Sequence, residues 1–157
     1  KDFYATIQNK FHYAITGNTA AEIVYKRVDS KKENMGLTTW ENSPDGKILK
    51  SDVIIAKNYL NEQEIKNLNN LVNLFLDIAE NNAERSITMY MEDWKNEVEN
   101  ALKVFHYEVL EGKGKISHKQ AVEKAENEYE KYKVIQDKNY VSDFDRLLSE
   151  TKQIENK

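Results

Sequence analysis

The 157-residue sequence predicts an all-α fold, a single bundle of six to seven helices with an irregular loop or small β-hairpin at about 29–50. Three observations predict it. Apolar residues recur at three- and four-residue spacing along most of the chain, the period of one helix face. Capping boxes at Thr19/Glu22, Asn61/Glu64 and Ser117/Gln120 open such stretches, each pairing a short polar side chain with a partner three residues on. One proline and five glycines are too few for a β-sandwich, which needs a turn about every 8 to 12 residues.

Phe3, Ile7, Phe11 and Ala14 line the first helix, about 2–15, and Gly17 stops it by accepting a left-handed backbone. Thr19 caps the second, about 20–28, with Ile23 and Val24 inward. Residues 29–50 break the pattern. Ser43-Pro44-Asp45-Gly46 is a turn signal between Thr38-Thr39-Trp40 and Lys47-Ile48-Leu49, so the segment reads as one long ordered loop in which a small hairpin against the helices is an alternative. Ser51 caps a short helix ending near Asn58-Tyr59-Leu60.

The next helix, 62–84, carries apolar residues from Ile65 to Ala83 around most of its circumference, which places it at the centre of the bundle. Thr88 caps a helix over 89–110 with Met91, Trp94, Val98, Ala101, Leu102, Phe105 and Val109 inward. A connector at Gly112-Lys113-Gly114-Lys115 leads to an outer helix, 118–138, with a thin stripe of Ala121, Val122, Ala125, Tyr129 and Tyr132. Ser142 caps a last helix through Phe144, Leu147 and Leu148, fraying towards Lys157.

Without cysteine, disulfides, thiolate metal sites and cysteine nucleophiles are excluded. Net charge is −4, and residues 1–60 hold 9 Lys/Arg against 7 Asp/Glu while 61–157 hold 14 against 20. No basic stripe exists to neutralise phosphates, so the chain by itself is not expected to grip DNA. No apolar run is long enough to span a membrane. The chain starts at Lys1 rather than Met, which reads as a fragment of a longer protein.

The histidines are His12, His106 and His118, and none has an acid three residues before it, so the Glu-x-x-His pairs of di-iron bundles are missing. Neither metal nor cofactor is expected. Gly112 to Ser117 lacks the spacing of a phosphate loop. Carboxylate pairs such as Asp77 and Glu80 are the solvated faces of acidic helices. Two polar groups stand out: Gln8, Asn9, Lys10, His12 and Thr16 on the first helix, and Asn34 and Trp40 with Lys57, Asn58 and Tyr59 in and after the loop. Residue chemistry allows capping and core roles, or a shared binding surface.

The run Phe3 to Glu22 closely resembles the RhuM virulence-protein family. So do Asn34-Met35-Gly36-Leu37-Thr38, Ala56-Lys57-Asn58-Tyr59-Leu60, Met91-Glu92-Asp93-Trp94 and Gly114-Lys115-Ile116-Ser117-His118, in the family's order over nearly the whole chain. The resemblance implies a bacterial, cytoplasmic protein of a mobile or virulence-associated element. It also implies that residues 1–157 are a single C-terminal domain, separated from an N-terminal region that resembles phage DNA-binding regulators.

Two functions follow. The first is an interaction or effector domain of a DNA-linked regulatory protein, working through a protein partner or self-association, with nucleic acid reached only through the N-terminal region and no membrane contact. The second is an enzyme on a nucleotide or protein substrate, with His12 as general base and Lys57 and Lys10 as anion binders.

Overall fold

The computed structural model describes residues 2–155, and all regular structure among them is helical. The α-helices are α1 (Asp2–Thr16), α2 (Ala20–Arg27), α3 (Glu62–Glu84), α4 (Met91–Val104), α5 (His118–Asn139) and α6 (Asp143–Glu155). Single 3-10 turns occupy Glu33–Gly36, Asp52–Ile54 and Ala56–Tyr59. Lys1, where the chain was expected to betray a cut, and Asn156 and Lys157, at the expected frayed end, lie outside the described residues.

The three capping boxes form. Thr19 N–H donates to Glu22 Oε2 at 2.9 Å and Glu22 N–H returns a bond to Thr19 Oγ1 at 3.3 Å. Asn61 with Glu64 and Ser117 with Gln120 repeat the exchange. Ser142 caps α6 by accepting the Asp145 N–H at 3.1 Å. Gly17, at φ +70°, ends α1 through its N–H to Tyr13 O.

The centre of the fold is the eight-residue α2. Ile23, Val24 and Val28 are buried, and α2 packs against α1, α5 and the Ala56–Tyr59 turn. Buried Ala121 and Ala125 let α5 come close, and Tyr129 extends the seam. The expected central position of residues 62–84 is therefore corrected: α3 lies against α1 through Leu68 and Leu71, while Val72 and Leu76 remain exposed. Its apolar circumference exceeds what one neighbouring helix covers.

Three further expectations change. Residues 29–50 form no hairpin, because side chains take the backbone groups that would pair two strands. Asp52 accepts the N–H of Glu41 at 3.1 Å and of Leu49 at 2.7 Å, and Trp40 Nε1 donates to Gly46 O at 2.7 Å. The helix expected after Ser51 is two 3-10 turns instead of an α-helix.

The helix expected over 89–110 runs only from Met91 to Val104. It starts at Tyr90, whose N–H donates to Asp93 Oδ2 at 2.9 Å, so Thr88 is not its cap. It stops because His106 takes φ +61°, with Tyr107 N–H on Leu102 O and His106 N–H on Lys103 O, a Schellman end built without glycine. Met91 and Phe105, expected inward, are exposed.

Candidate functional site

The polar residues of α1 point to different partners. Lys10 is 5 % exposed, and its ammonium pairs with Glu99 Oε1 at 2.8 Å and donates to Leu110 O at 3.1 Å. It ties α1 to α4 and to the irregular segment beyond α4. Asn9 Oδ1 accepts the Ala20 N–H at 3.0 Å and so holds the first turn of α2. Thr16 Oγ1 donates to His12 O at 2.7 Å, while Gln8 is exposed.

His12 is half-buried, and its Nδ1 is buried without a hydrogen-bond partner. Burial pulls its pKa below the usual imidazole value, because the charged form loses more water than the neutral one. The neutral ring is therefore the form held near pH 7. That is the protonation state a general base needs.

The loop residues form a tight knot. Thr38 N–H donates to Asn58 O at 2.7 Å and Thr38 Oγ1 to Leu60 O at 2.6 Å, which brings 34–40 onto 56–60. Asn58 Nδ2 donates to Asp52 O at 3.0 Å, and the buried Tyr59 hydroxyl to Val53 O at 2.6 Å. Arg27 clamps the knot from α2, donating to Tyr59 O at 2.8 Å and pairing bidentately with both Glu64 oxygens at 2.7 Å. Trp40 is buried, and Asn34 begins three successive left-handed residues, Asn34, Met35 and Gly36. Lys57 is exposed, with no ion pair among the described residues.

The structure thus ties Asn58 and Tyr59 to Thr38 and to Arg27 of α2, while Trp40 bonds Gly46, Asn34 lies in a turn packed on α5, Lys10 reaches α4 and Asn9 the start of α2. The Gly112–Lys115 connector is also occupied: Lys115 N–H donates to the buried Glu22 Oε1 at 2.7 Å, so it closes over the capping box of α2. Shallow depressions lie on α3 beside Asp77, Asn81 and Arg85, and between α2 and α5 beside Tyr25, Lys124 and Glu128; neither is lined by His12 or Lys57. No trio of His, Cys, Asp or Glu among the described residues is arranged to hold a metal ion, and no helix there is long and apolar enough to cross a membrane.

Sequence reasoning missed the uncovered apolar surface. Tyr90 and Met91 at the start of α4, Val104 and Phe105 at its end, and Leu76 on α3 are exposed. On α6, Phe144 is 68 % exposed, Leu147 60 % and Leu148 43 %. Periodicity finds such residues but cannot tell an inner stripe from an outer one.

A family model described as the virulence protein RhuM family matches residues 1–141, from α1 to the residue before the cap of α6. No curated protein and no solved structure matches the chain.

Proposed function

The chain belongs to the RhuM virulence-protein family, and from that premise we propose that it is a protein-interaction domain of a virulence- or mobile-element-associated, DNA-linked regulatory protein. The observation that carries this reading is where its side chains are spent. Lys10, Asn9, Asn58 and Tyr59 hold the fold together, whereas large apolar side chains stand in water beside the charged ones on α4 and α6. Large apolar side chains left exposed are the raw material of interaction sites. A net charge of −4 without a basic stripe agrees with contact to nucleic acid being made by another part of the regulator.

The test is site-specific photocrosslinking in the cell from Tyr90 and Phe105. Adducts to one discrete protein from both positions are expected, and those from Tyr90 should be lost when Phe105→Asp is added with the melting temperature unchanged. A clean monomer band from both positions would end the interaction reading for this surface.

His12 supports a second reading, an enzyme on a nucleotide or protein substrate, because a neutral imidazole with an unpartnered Nδ1 suits a general base. Lys57 is the exposed cation of that reading; Lys10 already holds Glu99. Thermal shift across nucleotides and metal ions, on wild type, His12→Ala and Lys57→Ala, separates the two. The enzyme reading requires a ligand that stabilises wild type and neither variant.

A further inference from the structure

We propose that the outer side of α3, from Val72 to Ala83, is a docking face for a cationic amphipathic helix of a protein partner. The proposal rests on the reading of the chain as an interaction domain and names the chemistry of its partner. Between buried Leu71 on α3 and buried Val98 on α4 no residue is fully buried. The inner side of α3 is spent: Leu68 and Leu71 pack towards α1, and Phe75 meets Trp94 of α4 edge-on, with ring centroids 5.4 Å apart.

A second apolar stripe is left over. Val72, Leu76, Ala79 and Ala83 recur at i, i+4, i+7 and i+11 along one side of α3, with Val72 37 % and Leu76 55 % exposed. The two large side chains are followed by two alanines, and small residues admit a helix at close range, as Ala121 and Ala125 do where α5 meets α2. The stripe runs three turns, about 16 Å, which is the footprint of a short helix laid on an apolar face.

Charge decides what kind of helix fits. Asp77, Glu80 and Glu84 line the solvent side of the stripe, exposed and without an ion pair among the described residues. Lys66 is the cation on that side, three turns before Asp77, and Arg85 lies across α3 from the stripe. Residues 72–97 hold six acids, Asp77, Glu80, Glu84, Glu92, Asp93 and Glu97, against Arg85 and Lys95. Their net charge of −4 equals that of the whole chain, so the remaining residues balance and the acidity is concentrated here.

That field turns away the other occupants. Phosphate backbones and anionic lipids are repelled. The same face of a second copy would set Asp77, Glu80 and Glu84 against themselves. No trio of acids among the described residues is arranged to hold a metal ion. A helix that is apolar on one side and carries lysine or arginine along the rim satisfies both features. Its apolar side covers Val72 and Leu76, its cations reach Glu80 and Glu84, and its basic stems lay further apolar area over the alanines.

Fluorescence anisotropy with two labelled amphipathic peptides tests this, one with leucines flanked by lysines and one with the same leucines flanked by glutamates. Duplex DNA and phosphatidylserine vesicles are offered in parallel. The lysine peptide is expected to bind the whole chain in the micromolar range, and the other three are expected not to bind. Val72→Ser with Leu76→Ser, and separately Glu80→Lys with Glu84→Lys, should each weaken binding by roughly tenfold or more with unchanged helical circular dichroism. Glu111→Lys with Glu150→Lys changes the net charge equally on other elements and should weaken it by less than about threefold. Equal losses from the two charge reversals overturn the proposal, as does binding that survives Val72→Ser with Leu76→Ser. A preference for the glutamate peptide, DNA or vesicles overturns it too. With the lysine peptide unbound, discrete adducts from Tyr90 and Phe105 remove the cationic helix and leave the interaction reading; no binding and no adducts remove both.

Discussion

Lys10 is an ammonium almost out of water on a helix that would pack more simply around a leucine. Its Glu99 and Leu110 bonds compensate the lost hydration, and removing one partner of such a pair leaves the other uncompensated. Lys10→Ala is expected to lower the unfolding free energy by about 3 kcal/mol in urea denaturation, while Lys10→Met with Glu99→Leu recovers most of it.

Carboxylates are held in the same way. The Ser30 hydroxyl and N–H bonds bring Glu128 down to about 2, and the Lys10 hydrogen bond holds Glu99 below the usual carboxylate range. A carboxyl with a depressed folded-state pKa contributes stability above its unfolded value, near 4.3, and loses it as pH falls through the folded one. The urea midpoint should therefore decline from about pH 4.3 towards pH 2, and Glu128→Gln should flatten that decline. His12 adds a separate loss below about pH 6.5, since its buried neutral ring resists protonation that the unfolded chain accepts.

Among the elements, helix starts were readable and helix ends were not. Thr19, Asn61, Ser117 and Ser142 cap as their residue types require, because a side-chain oxygen at the N-cap is a local signal. The ends of α3 and α4 fall at Ser86 and His106, left-handed residues with a Cβ, where the sequence carries no glycine to announce them. Replacing exposed His106 by glycine should thus stabilise the domain by up to about 1 kcal/mol, read as a raised melting temperature. The opposite sign is expected at Gly36, whose φ is +84° and where a Cβ would stand 2.4 Å from the Arg27 carbonyl oxygen. Gly36→Ala should cost more than about 1 kcal/mol in the same assay. The loop was legible, but its hairpin alternative fails because turn residues reveal where a chain reverses, not which groups will bond. Asp52, an ordinary loop acid in sequence, takes those groups.

At the scale of the whole molecule, the all-helical class was legible because so many independent stretches share one period, and the family from runs such as Phe3 to Glu22. The layout was not. A short α2 outranks a 23-residue α3 as the centre because burial depends on how many neighbours reach a helix, and no local pattern encodes that. The polar candidates were found by residue type, which does not distinguish an Asn58 knotting a loop from an Asn58 facing a ligand.

On the interaction reading, the apolar surface works on partners and the polar cluster serves the fold. Photocrosslinkers placed in parallel at Phe105, Phe144, Gln8 and Lys57 separate the two surfaces in one experiment. Discrete protein adducts from Phe105 and Phe144 and none from Gln8 or Lys57 are expected. Adducts confined to Gln8 and Lys57 would contradict that reading.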